Sequence, residues 1–186
     1  MRQQIEVEKN FCPHPMQLFL YGTYEENGMP HFSTFCWLTG CWHNEELHFM
    51  ISLDGTKITK NRIEETGVFS ANIVTEKLLP LADALGHGYA SEKLLENFHL
   101  NIENGHKINV PLLLNSPLNY ELKVDRTVEL NGSTIFICKI LNTHISSKIS
   151  MTSNKLDLIE IKPALTGMYQ YFSLSKKEGV WEEWKK

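Results

Sequence analysis

Two Asn-Gly pairs, each set between apolar-rich runs, constrain this chain more than any other feature of it. Asn27-Gly28 separates "QLFLYGTYEE" from "PHFSTFCWL", and Asn131-Gly132 separates "LNYELKVDRTVEL" from "STIFICKILNTHI". Asn and Gly tolerate the positive φ that tight hairpin turns demand, so both positions predict hairpins. Before the second turn, Tyr120, Leu122 and Val124 alternate with Glu121, Lys123 and Asp125. The apolar set resumes at Val128 and Leu130 after a shift at Arg126-Thr127, which reads as a half-buried strand with a bulge. Its partner, 134–141, is nearly all apolar and is expected at the centre of a sheet. Further strands are expected at 47–52, 68–74, 156–162 and 168–174. At least seven short strands joined by turns predict a mainly β fold, a closed antiparallel barrel rather than a doubly wound sheet.

Helices enter this pattern only as a few short inserts. One is expected over 57–66, with Thr56 as N-cap and Gly67 as its stop. A second is expected within 76–85, where Pro80 belongs in the first turn and moves the start beyond Glu76. A third is expected over 92–98, capped by Ser91. Residues 1–174 read as one domain. Residues 175–186, "SKKEGVWEEWKK", read as a polar tail whose Trp181 and Trp184 either cover an apolar edge or pack on a partner subunit.

Charge and hydropathy exclude several functions. With a net charge of -4, the chain carries no general electrostatic footprint for nucleic acid. No run approaches the ~18 apolar residues of a membrane helix. The opening "MRQQIEVEKN" lacks the apolar core of a secretory signal, so a cytoplasmic location and neither nucleic-acid nor membrane partners are expected. The four cysteines, Cys12, Cys36, Cys41 and Cys138, form no CxxC pair, and "CWLTGCWH" lacks the close ligand pairing of structural zinc sites, so no metal is expected.

The chemistry concentrates in "SLDGTKITKNRI", residues 52–63. Three hydroxyls (Ser52, Thr56, Thr59) and three cations (Lys57, Lys60, Arg62) follow an apolar strand there and lead into a helix. Free N–H groups at a helix start, with hydroxyls and a lysine beside them, suit a phosphate monoester. The other reading is a capped helix with a solvated cationic face. The strand "HFSTFCWL" places hydroxyls and aromatics where they would suit the edge of a flat heterocycle, or simply form a mixed strand face. His87, between Gly86 and Gly88, either reaches over a bound cofactor or closes a helix C-terminus against its dipole.

The order of these segments resembles the flavin reductase-like family. The carriers of the resemblance are "MQLFLYGTYEENGMPHFST" after Pro15, "STFCWL", "LHFMISLDGTKITKNRI", "TGVFSANIV", "LADALGHGYASEKLLENF" and "IKPALTGMYQYFSL". Together they span about residues 13–174. The resemblance implies an FMN-binding split barrel over 1–174, FMN held noncovalently, a homodimer, NADH or NADPH as electron donor, and a small-molecule or protein electron acceptor. It implies that Thr34, Phe35, Cys36 and Trp37 lie along the flavin ring and ribityl chain, that Ser52, Lys57 and Thr59 lie toward the phosphate, and that Asn72 is close to the cofactor or its supporting strand. The family's Thr-x-x-Asn-Ile reads "TKNRI" here, so either Asn61 or Arg62 faces the ligand. The rival within the same resemblance is an FMN-binding electron carrier with no pyridine-nucleotide site of its own. A Gly-rich dinucleotide fingerprint is absent from the sequence.

Overall fold

The computed structural model describes Glu6 and residues 14–88, 97–152 and 155–179. In chain order its strands are β1 (Met16–Gln17), β2 (Phe19–Tyr24), β3 (Pro30–Phe35), β4 (Leu38–His43), β5 (Glu46–Asp54), β6 (Val68–Ile73), β7 (Ile102–Asn104), β8 (Pro111–Leu113), β9 (Leu118–Leu130), β10 (Ser133–Ile145), β11 (Met151–Thr152), β12 (Lys155–Leu156), β13 (Ala164–Gly167) and β14 (Gln170–Ser173). Three helices interrupt the described strands: α1 (Ile58–Thr66), α2 (Leu79–Gly86) and α3 (Leu158–Ile161). None of the described helices is long and apolar enough to cross a membrane.

Seven strands form one antiparallel sheet in the order β3-β2-β6-β9-β10-β5-β4. Both Asn-Gly hairpins are present, β2–β3 and β9–β10, and β10 is central as its composition predicts. Gly132 turns the second hairpin at φ 92, a conformation that a side chain would strain. A hairpin that the sequence reading missed joins β4 to β5 through Asn44 and Glu45, both at positive φ.

The fold is mainly β as expected, and the closure expected from the sequence is not seen as a continuous ladder among the described residues. No ladder among the described residues joins the edge strands β3 and β4. Flat, such a sheet would hold its edges ~29 Å apart. Yet the chain passes from β3 to β4 through Cys36 and Trp37 alone, a step of at most ~11 Å from Phe35 to Leu38. The sheet must therefore curl, and it closes covalently at one end of the seam instead of by hydrogen bonds along it.

The curl encloses one side of every long strand. Tyr21, Ile51, Leu53, Ile63, Phe69, Leu122 and Phe136 are fully or almost fully buried inside. Each such side chain contributes about 1.5–3 kcal/mol over its exposed state. A second cluster outside the sheet is covered by α2, where Leu81, Ala82 and Leu85 pack on Leu18, Leu20 and Leu113.

Helix starts and late strands depart from expectation. The N-cap of α1 is Lys57, not Thr56, and its side chain makes no capping bond; Gly67 ends the helix in the left-handed region as predicted. Helix α2 starts at Leu79 with Pro80 in its first turn. The strand expected at 156–162 is mostly α3, because the Asp157 side chain accepts from the N–H of Ile159 (2.8 Å) and caps a helix there. The strand expected at 168–174 is the second half of the hairpin β13–β14, which turns at Met168-Tyr169, both at positive φ. The bulge falls one residue earlier than the Arg126-Thr127 shift, since the register skips Asp125. Most of the helix expected over 92–98, and Trp181 and Trp184, lie outside the described residues.

Glu121 is the main failure of the alternation argument. It was expected on a solvent face, and it is fully buried. Its carboxylate accepts from the backbone N–H groups of His106 (3.0 Å), Lys107 (2.8 Å) and Ile108 (2.9 Å), and from Asn142 Nδ2 (3.0 Å). His144 Nε2 lies 2.7 Å away. The loop between β7 and β8 is thus pinned to β9. A Cβ on Gly105 would stand 2.4 Å from Ile108 O and 2.8 Å from the carboxylate, so only glycine lets the loop come this close. Burial alone would raise the Glu121 pKa, but the hydrogen bonds from His144, Lys107, Asn142 and Ile108 outweigh it and hold the group at about 2.

Because its folded pKa lies below its ordinary value, Glu121 contributes stability that is fully present above about pH 4.5 and is lost as pH falls toward about 2. That contribution is on the order of 3 kcal/mol. Urea midpoints should therefore fall steeply over this window. Glu121→Gln should be destabilised by about 3 kcal/mol at neutral pH and show a flattened acid limb. An acid limb unchanged in the variant would mean that other carboxylates control it.

Candidate functional site

Beside the link between β3 and β4 lies a cleft of about 480 Å³. Its walls come from the β3–β4 link (Cys36, Trp37), the start of β4 (Leu38, Thr39), β5 (Met50, Ile51, Ser52) and Ile135 of β10, with residues 14–17 on the remaining side. The lining is mainly apolar and the size is typical of a small-molecule site. Antiparallel pairing of β4 with β5 sets Leu38 opposite Ile51, and the Ser52 N–H donates to Trp37 O (3.3 Å). This pairing is what brings sequence positions 36–37 and 52 together.

Three of the nine residues proposed from the sequence, Cys36, Trp37 and Ser52, line this cleft; six do not. Thr34 spends its hydroxyl on α2, donating to Ala82 O (2.6 Å). Phe35 points into the core and stacks on Tyr21 with centroids 4.7 Å apart. Asn72 is buried with its whole hydrogen-bonding capacity used. Its Nδ2 donates to Leu20 O and Ser70 Oγ, and its Oδ1 accepts from the Leu113 N–H and from Asn119 Nδ2. It ties neighbouring strands together. Asn61 is exposed on α1, while Arg62 is half-buried, donating to Tyr24 O (2.9 Å) and pairing with Glu65.

The cationic corner carries less free charge than its sequence suggests. Lys57 pairs with Asp54 (2.7 Å), Lys60 with Glu64 (3.4 Å) and Arg62 with Glu65. The Lys57 hydrogen bond and charge hold the Asp54 carboxyl below its usual range. Two features remain available to an anion. The start of α1 has no side-chain cap, so its first-turn N–H groups lack side-chain acceptors. Thr59 in that turn is fully buried, and its Oγ1 has no partner among the described residues.

Sequence reasoning missed the contribution of residues 14–17. Their place follows from Gln17, whose Nε2 donates to Leu18 O (2.8 Å) and Ala164 O (3.0 Å), tying the segment to β13. Only Pro15, cited for the family order, hinted at it. His87 closes α2, its ring Nδ1 lying 2.8 Å from Asp83 O, which matches the helix-end reading. Cys138 is buried, and burial pushes its thiol up to about 12, which leaves it chemically inert. Among the described residues, no three His, Cys, Asp or Glu side chains are grouped to hold a metal.

The sequence matches the family profile described as "Flavin reductase like domain" over residues 12–161. The chain belongs to the flavin reductase-like family. No curated protein matches it significantly. Among solved structures, the fold is similar to a flavoredoxin of Desulfovibrio vulgaris (Miyazaki F), with 21% identity, TM-score 0.85 and full coverage of both chains. It is equally similar to a flavoredoxin from Methanosarcina acetivorans, with 20% identity and TM-score 0.85 over 98% of this chain and 97% of that one. An FMN-binding protein from Thermus thermophilus matches at 17% identity and TM-score 0.74, over 97% of this chain and 98% of that one. A split-barrel protein from Shewanella frigidimarina, described by its resemblance to flavin reductases, matches at 20% identity and TM-score 0.75, over 89% of this chain and 85% of that one. The split-barrel architecture implied by the order of motifs is therefore the architecture of this family member.

Thr59→Val separates a structural hydroxyl from a binding one. An orphaned buried hydroxyl stabilises nothing, so the variant should melt at the same temperature as the parent or higher, by up to about 1 kcal/mol. Marked destabilisation in thermal unfolding would show that the hydroxyl has a partner in the folded protein.

Proposed function

We propose that this chain binds FMN in the cleft beside the β3–β4 link and acts as an NAD(P)H-dependent oxidoreductase, reducing a flavin or another electron acceptor. The observation that carries this reading is the adjacency of two complementary features in a flavin reductase-like chain. A mainly apolar cleft ends at Ser52, and a short turn after Asp54 leads to an uncapped helix start with a buried, unpartnered Thr59 hydroxyl. The residues fit the group: Trp37, Leu38 and Met50 offer apolar surface to a flat ring, while Ser52, Thr59 and the first N–H groups of α1 supply donors for a phosphate. Lys57 would exchange its exposed pairing with Asp54 for the phosphate charge.

When bound, FMN supplies the one- and two-electron chemistry that protein side chains lack. The chain's task is to hold the ring, exclude water from one face and leave the other open to a donor. No side chain is required as general acid or base. The second reading, an FMN-binding electron carrier without a nicotinamide site, is supported by the likeness to two flavoredoxins and by the missing Gly-rich fingerprint. A homodimer belongs to either reading. It is supported by Trp37, Trp42, Leu47 and Met50, which are exposed along the unpaired β4 edge and its neighbour β5.

The absorbance spectrum of freshly purified protein comes first, with identification of flavin released on heating. A colourless protein that takes up no added FMN would end both readings. Anaerobic addition of NADH or NADPH then divides them: bleaching is expected for the reductase, and an unbleached flavin leaves the carrier. Replacing Lys57 and Thr59 with Ala should weaken FMN retention about tenfold, as expected for the loss of charge-assisted hydrogen bonds. Unchanged retention would move the phosphate elsewhere.

A further inference from the structure

A second cleft, of about 550 Å³, lies near α3, where β6 and β10 end and β9 begins. Three lysines line it, Lys77, Lys148 and Lys162, and none has an ion-pair partner among the described residues. This contrasts with the cationic corner of α1, where every lysine and arginine is already matched by a carboxylate. Of the two acids in the cleft, Glu160 has both oxygens engaged, by the Ser150 N–H (3.1 Å) and Ser150 Oγ (3.3 Å). Glu76 is the other.

The neutral groups add donors. Asn115 Oδ1 accepts from the Asn101 N–H (2.8 Å), and among the described residues its Nδ2 has no acceptor. Ser146 Oγ accepts from the Lys148 N–H (3.3 Å), and among the described residues its proton has no acceptor. Leu114, Pro117, Ile149 and Ile161 supply apolar surface in the same cleft.

Lys162 is the C-cap of α3 at φ 53, in the left-handed region. Its backbone is held there from both sides: its N–H donates to Ile159 O (3.2 Å) and its carbonyl accepts from the Glu76 N–H (3.1 Å), which fixes where its side chain starts at the cleft.

We propose that this cleft is a second ligand site, distinct from the cleft beside Trp37, and that it takes a nucleoside diphosphate. The lysines and free amide and hydroxyl donors would engage the diphosphate oxygens, and the base would lie on the Leu114, Pro117 and Ile149 surface. Three lysines against two glutamates leave the cleft net positive, and with the amide and hydroxyl donors this favours an anion. The size and the apolar floor select one with an attached ring system rather than a free ion.

The test is calorimetric titration of the full chain with ADP, adenosine and pyrophosphate, with and without added FMN. One equivalent of ADP should bind at least ~tenfold more tightly than adenosine, and binding should weaken as ionic strength rises toward about 0.15 M. Substituting Lys77→Met, Lys148→Met and Lys162→Met together should lower ADP affinity at least ~tenfold while melting temperature and FMN content stay unchanged. If the triple variant does not fold, Lys148→Gln alone, on an exposed segment, should still weaken ADP severalfold. The proposal is overturned if ADP binds no better than adenosine, or if the lysine variants bind ADP like the parent. It also fails if ADP displaces FMN stoichiometrically, since one shared site would then explain both ligands. ADP is read directly, so a chain that takes up no FMN would sink the flavin reading and leave this one to its own result.

Discussion

The two-residue link Cys36-Trp37 is the constraint on which the rest of this structure depends. It joins the two edge strands of a seven-stranded sheet, strands that would stand far apart if the sheet were flat. Its length leaves the sheet no option but to curl. The curl turns the faces of β2, β5, β6, β9 and β10 inward and so makes the interior that Tyr21, Phe69 and Phe136 fill. The same link leaves a seam without ladder hydrogen bonds among the described residues. The candidate flavin cleft lies beside the link, against Met50, Ser52 and Ile135, which alternate with the core residues Ile51, Leu53 and Phe136 and so stand on the outer face.

Buried polar groups hold the parts that apolar packing cannot register. Asn72 ties β6 to β2, to β9 through Asn119 and to β8 through the Leu113 N–H, with all of its capacity used inside the protein. Glu121 does the same for the loop between β7 and β8, through three consecutive backbone N–H groups. A fully satisfied network of this kind is specific because each lost bond leaves a desolvated group behind. By contrast, Thr59 Oγ1 is buried and unsatisfied, and it sits in the first turn of the helix proposed to meet the phosphate.

Elements with strong local signals were legible in the chain. The two Asn-Gly hairpins, the central strand β10, the left-handed stop at Gly67 and the start of α2 around Pro80 each follow from one or two residues with restricted backbone choices. Elements decided by competition were not. Asp157 turned an apolar run into α3 by capping it, and Asn44-Glu45 made a tight turn without a glycine. Glu121 went inward because a loop remote in sequence supplied its partners. Of the site, Cys36, Trp37 and Ser52 were legible, while the part played by residues 14–17 depended on a strand pairing that no local pattern announces.

The sequence by itself determined a mainly β chain, the hairpins, the order of motifs that marks the flavin reductase-like family, and the concentration of hydroxyls and cations after Ile51. Those are properties of local backbone preference and composition. Only the tertiary structure decided that no ladder among the described residues joins β3 to β4, that Lys57, Lys60 and Arg62 are each matched by a carboxylate, and that Lys77, Lys148 and Lys162 meet in one cleft with no such match among the described residues. Whether a charge is spent or available depends on what stands opposite it in space. The curl of the sheet sets that, and spacing along the chain does not.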